Sequence, residues 1–156
     1  MDAVTHLADH IERTVTGPMW HGPSLRELLR DVSSETAAAR PIPSAHSIWE
    51  LVLHVTAWAD IARKRLAGDA LASPPANENF PPVTDTSAGA WAHAIAELEK
   101  SYQTLGRTVA RLAKTDLSAA VPTEGPPHTV MTLLHGVIEH GTYHGGQIAI
   151  LKRAAE

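Results

Sequence analysis

"EHGTYHGGQIAIL", residues 139–151, places two histidines four apart and follows them with two glycines and a glutamine. The spacing alone proves little. With ten histidines in 156 residues, chance supplies about 0.6 H-x-x-x-H pairs, and His6 and His10 form another. What decides the reading is the face each histidine occupies.

Read as a helix at about 100° per residue, the segment brings Leu133, Val137, His144, Gln147 and Leu151 within about 60° of His140. His140 and His144 therefore lie on the apolar stripe that a bundle helix turns toward its core. His135 falls about 140° from His140, on another face.

The rest of the chain reads the same way. Alternating β-branched residues are scarce, while alanine, leucine and helical periodicity dominate, so the fold class is all-α. A first helix is expected over residues 2–16, stopping at Gly17 and Pro18, where proline cannot continue it. A short helix starts at Pro23 or Ser24, in a connection that ends at Pro41 and Pro43. Ser47-Ile48-Trp49-Glu50 matches a capping box and opens a long helix that runs to Leu66. Residues 68–86, rich in proline and polar side chains, form the longest loop. A third long helix covers residues 87–114, a loop with Pro122, Gly125, Pro126 and Pro127 follows, and the last helix runs from His128 to Lys152. Four long helices with short additional helices in the connections predict a four-helix bundle, as a single domain over residues 1–156.

Composition narrows the function. Apolar residues make up 44% and charged residues 19%, which fits a globular chain. A formal net charge of −4 provides no basic footprint for nucleic acid and no polybasic membrane anchor. Cysteine is absent, so there is no disulfide framework, thiolate nucleophile or Cys-ligated zinc. The opening "MDAVTHLADH" is acidic and helical, unlike a signal peptide, and no apolar run approaches the roughly 18 residues of a membrane span. The expected location is cytoplasmic.

His54, on the second long helix, shares its mostly apolar face with Glu50, Leu51, Trp58, Ile61 and Arg65. Three histidines from two helices thus point inward. A buried imidazole must satisfy two nitrogens, and one metal ion would engage a nitrogen on each ring. Three histidines with open positions form a catalytic pattern, whereas a structural zinc site closes with four ligands. The competing reading, hydrogen-bonded packing, stays open for each ring taken alone. His6 and His10 read as solvated or packed helix residues. His21, His46, His93 and His128 read as structural or surface residues, and Trp49, Trp58 and Trp91 as core aromatics. H-E-x-x-H is missing, as is the Glu-x-x-His of di-iron bundles, because neither Glu50 nor Glu139 has a histidine three residues on.

"HSIWELVLHVTAWADIARKRLAG", with "MWHGPSL" upstream and "TVMTLLHGVIEHGTYHGGQIAILKRA" downstream, resembles the DinB/YfiT-like superfamily of metalloenzymes over residues 3–153. The specific parts are H-x-x-x-H-x-G-Q-[IV] on the last helix and the lone histidine of E-L-x-x-H. The resemblance implies a four-helix bundle, often a homodimer, with zinc or nickel held by three histidines. Carried over by motif, the ligands are His54, His140 and His144, the three that the helical wheel selects. It also implies relatives that use low-molecular-weight thiols, among them S-transferases and maleylpyruvate isomerases.

The expectation is a divalent-metal-dependent enzyme, a hydrolase or a thiol S-transferase, acting on an unidentified small molecule. The alternative is a non-catalytic metal-binding or dimerising bundle. Glu50, one turn before His54, is the nearest candidate base, with a helix-capping role as its competing assignment. Tyr143 and Gln147 are candidates for binding substrate or orienting ligands. Ala88, Ala92, Ile95 and Ala96 form a small-residue face, either a dimer surface or a cover for the monomer core.

Overall fold

Each long helix begins where a short polar side chain caps it. A computed structural model of the protein describes residues 2–69, 74–122 and 125–156. In α1 (Ala3–Thr16) the Asp2 carboxylate accepts from the Thr5 amide at 2.9 Å. α1 ends at Gly17, whose φ of 73° is left-handed and whose amide still donates to the Arg13 carbonyl. The connection holds two short helices, α2 (Leu25–Leu29) and α3 (Ser34–Ala38), because Ser24 and Ser33 each supply a cap. α4 (Ile48–Leu66) opens on the expected capping box: the Ser47 hydroxyl accepts from the Glu50 amide at 3.2 Å, and the Ser47 amide donates to Glu50 at 2.7 Å.

The expected loop over 68–86 contains a further turn, α5 (Ala76–Asn79), while residues 70–73 lie outside the described residues. α6 (Ala88–Val109) starts at a Ser87 cap and ends earlier than periodicity predicts. There the Ala113 amide donates to the Asp116 carboxylate at 2.7 Å, which starts a 3-10 turn over Lys114–Ser118 in place of more helix. Residues 123–124 of the next loop lie outside the described residues. α7 (Val130–Ala154) begins two residues later than expected, because Thr129 is its cap and accepts from the Thr132 amide at 3.2 Å.

The four long helices form a ring in the order α1, α6, α4, α7, each packed mainly on two neighbours. α2 covers the α1–α7 side, and α3 the α4–α6 side. The fold is therefore an all-α bundle. Among the described residues, β pairing is limited to isolated bridges at Met19–Gly22 and Ala120–Thr129. No helix among the described residues is long and apolar enough to cross a membrane.

Ile11, Val15, Leu98, Leu105, Leu134 and Ile148 fill the centre. Trp49 and Trp91 are buried and in contact, with ring centroids 5.0 Å apart, as expected of core aromatics. Gly141 sets how closely α7 approaches its neighbours beside the histidine pair. A Cβ there would lie 2.7 Å from Thr14 Cγ2 and 2.9 Å from Tyr102 Oη, both buried side chains.

Candidate metal centre

α4 and α7 are adjacent in the ring, and the inward stripes of both carry histidines to one place. His54 and His144 are buried and His140 is half-buried. His54 Nε2 lies 3.0 Å from His140 Nε2, and His144 Nε2 lies 3.1 Å from the same atom. Ligand atoms of the three rings all fall within 4.8 Å of one another. His135 is exposed, as its wheel position requires, and so are His6, His21 and His93.

The far nitrogens explain why the Nε2 atoms face inward. His54 Nδ1 donates to the Asn79 carbonyl at 2.6 Å. His144 Nδ1 donates to Gln147 Oε1 at 2.6 Å. Those two bonds hold the protons on Nδ1 and leave Nε2 lone pairs aimed at His140. His140 Nδ1 is buried and has no hydrogen-bond partner among the described residues. Gln147 is itself anchored, its Nε2 donating to the exposed Tyr143 hydroxyl at 3.1 Å.

Electrostatics keep the rings neutral. Burial pushes the pKa of His140 down from 6.5 to about 3, and His144 and His54 beside it push the same way. Burial also lowers His54 and His144, against partial opposition from their bonds to Asn79 and Gln147. Neutral imidazole is the form that ligates a metal.

These residues fit a divalent cation. Zinc–imidazole bonds of about 2.0–2.1 Å place tetrahedral nitrogens roughly 3.3–3.4 Å apart, a little more than the two Nε2 separations of 3.0 and 3.1 Å and inside the 4.8 Å span of the three rings. Imidazole donors suit zinc, nickel, copper or iron. Among the described residues the cluster offers three ring nitrogens that could hold a metal ion, fewer than the four of a closed structural zinc site.

Several supporting residues escape a periodicity reading. Asn79 and Phe80 come from α5 and its end, in a stretch read as plain loop. Phe80 stacks on His54 with centroids 4.0 Å apart, and His46 stacks on the other side of Phe80 at 3.8 Å. The available signal was an aromatic in a polar, proline-bracketed segment, since a side chain of that kind is an anchor when it is buried. Trp58 differs from the expected core aromatic. It is half-buried, its Nε1 donates to Asn79 Oδ1 at 2.9 Å, and with His54 and His140 it lines a cavity of about 700 Å³.

Glu50, the candidate base, has other partners. Its carboxylate closes the α4 capping box and pairs with Arg40. Burial raises its pKa, but the Ser47 amide and the Arg40 guanidinium outweigh that and hold it below the ordinary range.

In comparisons with known proteins, the sequence profile of the DinB superfamily matches residues 19–148, a span that contains all three histidines. No curated protein and no solved structure matches at a significant level.

Proposed function

The chain belongs to the DinB superfamily, and on that footing we propose that it is a cytoplasmic metal-dependent enzyme. Zinc or nickel is held by His54, His140 and His144, and the reaction is hydrolysis or S-transfer from a low-molecular-weight thiol to a small molecule. The observation that carries this reading is the convergence of three Nε2 atoms, two of them with Nδ1 tied to fixed acceptors, beside an apolar cavity.

When bound, the cation supplies Lewis acidity, polarising an electrophile and making a water or thiol more acidic. The chain's own residues do the rest. The Asn79 carbonyl and the Gln147 amide hold the protons on Nδ1 of His54 and His144. Trp58, Leu133 and Val137 give the cavity an apolar wall against which the body of a ligand can lie. With both oxygens of Glu50 committed to Ser47 and Arg40, the reading assigns it helix capping rather than proton transfer.

The test is elemental analysis of untagged protein purified without nickel resin, followed by assays with thiols and electrophiles before and after chelation. A stoichiometric divalent metal and chelator-sensitive turnover are expected. Metal without turnover would reduce the reading to a non-catalytic binding bundle.

The proposal extends to a homodimer formed through the outer face of α6. Ala88, Ala92 and Ala96 are exposed and Ile95 is half-buried, while Trp91, Ala94, Leu98 and Leu105 cover the monomer core. Ala88, Ala92 and Ala96 are therefore not core-covering, whereas Ile95 packs in part against the core. Sedimentation at micromolar concentration should give twice the chain mass of 16.7 kDa, and a Leu98-sparing change, Ala92→Glu, should halve it. A monomer throughout would exclude the dimer.

A further inference from the structure

Of the histidines outside the core centre, only His6 and His10 stand one helical turn apart, both on α1. Such spacing arises easily by chance and carries no weight alone. The fold adds independent facts. The two rings face each other, with centroids 5.9 Å apart and planes inclined at 58°. His6 is exposed and His10 half-buried, so the pair opens to solvent along one side of α1. Neither ring donates or accepts a hydrogen bond among the described residues.

The core centre provides a yardstick for the geometry. Its three ring centroids lie 4.5, 4.8 and 4.8 Å apart. The outer pair has to close by just over 1 Å to match that spacing. An exposed side chain makes such a move by small rotations about its own side-chain bonds. Residues i and i+4 of one helix are neighbours on its surface, which is why two histidines so placed supply two adjacent ligands to one ion.

The charge around the pair is compatible with a cation. Arg13, next along the helix, is paired with Asp9 at 2.9 Å. Burial first, then the Arg13, His6 and His135 charges, hold the His10 ring below its ordinary pKa of 6.5, with Asp9 opposing. At neutral pH that ring is therefore in the form that ligates a metal.

We propose that His6 and His10 form a second, solvent-facing metal site, a two-point imidazole chelate for divalent transition cations. It is separate from the core histidines and does not rest on the proposed metal function. Among the described residues no third ligand atom converges on the pair as in the core, so water completes the shell and the site is the weaker of the two. Imidazole donors select nickel, copper or zinc, whereas calcium and magnesium demand oxygen ligands.

The experiment is calorimetric titration of untagged, chelator-stripped protein with nickel, with bound metal counted on the same samples. Two equivalents are expected, one tight and one weaker. His6→Ala and His10→Ala should each weaken only the second, by about tenfold or more, because the remaining imidazole loses its tethered partner. Excess magnesium should compete with neither. Thr5 is exposed, so the double variant Thr5→His with His6→Ala keeps the number of histidines while turning one ring about 140° from His10. It should bind no better than His6→Ala.

Proton spectra supply a readout that needs no variant. Paramagnetic nickel should broaden the ring protons of His6 and His10 together, ahead of those of the solitary, exposed His93. A weaker equivalent undiminished in either alanine variant, restored by the off-register pair, or missing from the parent would overturn the proposal. Broadening of His93 before His6 and His10 would do the same. A single equivalent that disappears in His6→Ala would instead defeat the proposed metal function and leave this inference standing.

Discussion

His54 Nε2 and His140 Nε2 approach to 3.0 Å across a sequence separation of 86 residues. Two neutral imidazoles can share a proton at that distance, but here a third nitrogen, His144 Nε2, lies 3.1 Å from the same His140 atom. His140 has one proton to offer when neutral, and the lone pairs of His54 and His144 both point at it. A cation at the centre satisfies all three nitrogens at once, so the arrangement is better matched to a metal than to a hydrogen-bonded core.

Substituting His54, His140 or His144 by alanine should each weaken zinc binding by more than about a hundredfold, beyond what a residue that only orients a ligand costs. His135→Ala should leave affinity unchanged, because that ring is exposed on another face of α7. Competition with a chromogenic chelator measures this. Equal metal content in all four variants would sink the ligand assignment.

Gln147→Ala should reduce zinc affinity by about 10–100-fold without changing the stoichiometry. It removes the acceptor that holds the His144 Nδ1 proton at 2.6 Å. Tyr143→Phe removes only the hydroxyl behind Gln147 and should cost less. A larger loss for Tyr143→Phe than for Gln147→Ala would mean that Tyr143 touches the metal or its ligand directly.

Stability of the metal-free protein should fall with acid over a defined window. All three histidines have folded-state pKa values below the ordinary 6.5, with His140 lowered to about 3. Above pH 6.5 both folded and unfolded chains hold these rings neutral, and their stabilising contribution is complete. Below it the unfolded chain takes up protons that the folded cluster refuses, so stability drains away until the pH reaches the folded value. Thermal melts from pH 7 to pH 4 should show this decline, and His140→Gln should flatten part of it. Zinc affinity of the folded chain should persist below pH 6.5, because the cluster keeps its rings neutral, and drop only as the pH nears the lowered folded-state values. Melts as steep in His140→Gln as in the parent would assign the decline to other groups.

Two glycines of α7 should respond in opposite directions to alanine. Gly146 is exposed and a Cβ there meets nothing within 4 Å, so Gly146→Ala should stabilise by up to about 1 kcal/mol through helix propensity. Gly141→Ala drives a methyl to 2.7 Å from Thr14 Cγ2 and 2.9 Å from Tyr102 Oη. Overpacking of that kind costs about 1–3 kcal/mol and should outweigh the same propensity gain. Denaturant melts would settle the signs, and a stabilised Gly141→Ala would mean that α7 can shift away from α1 and α6 at no cost.

What the chain determined by itself was everything written in short-range periodicity. The Ser47–Glu50 capping box, the inward stripe carrying His140 and His144, the placement of His54 four residues after Glu50, and the outward aim of His135 all follow from 3.6 residues per turn and local hydrogen bonding. The end of α6 was less legible, because the Asp116 side chain competes with the helix for the Ala113 amide. Tertiary structure alone decided the questions that depend on two segments meeting. It brought Asn79 and Phe80 from a polar loop against His54, turned Trp58 from core filler into a cavity wall, and placed the Arg65 guanidinium over the Trp58 ring. It also left Ala88, Ala92 and Ala96 on the outside of the bundle. A helical wheel shows which residues share a face, but it is blind to what that face meets, since the partner is fixed by how the loops fold back and how closely the helices pack.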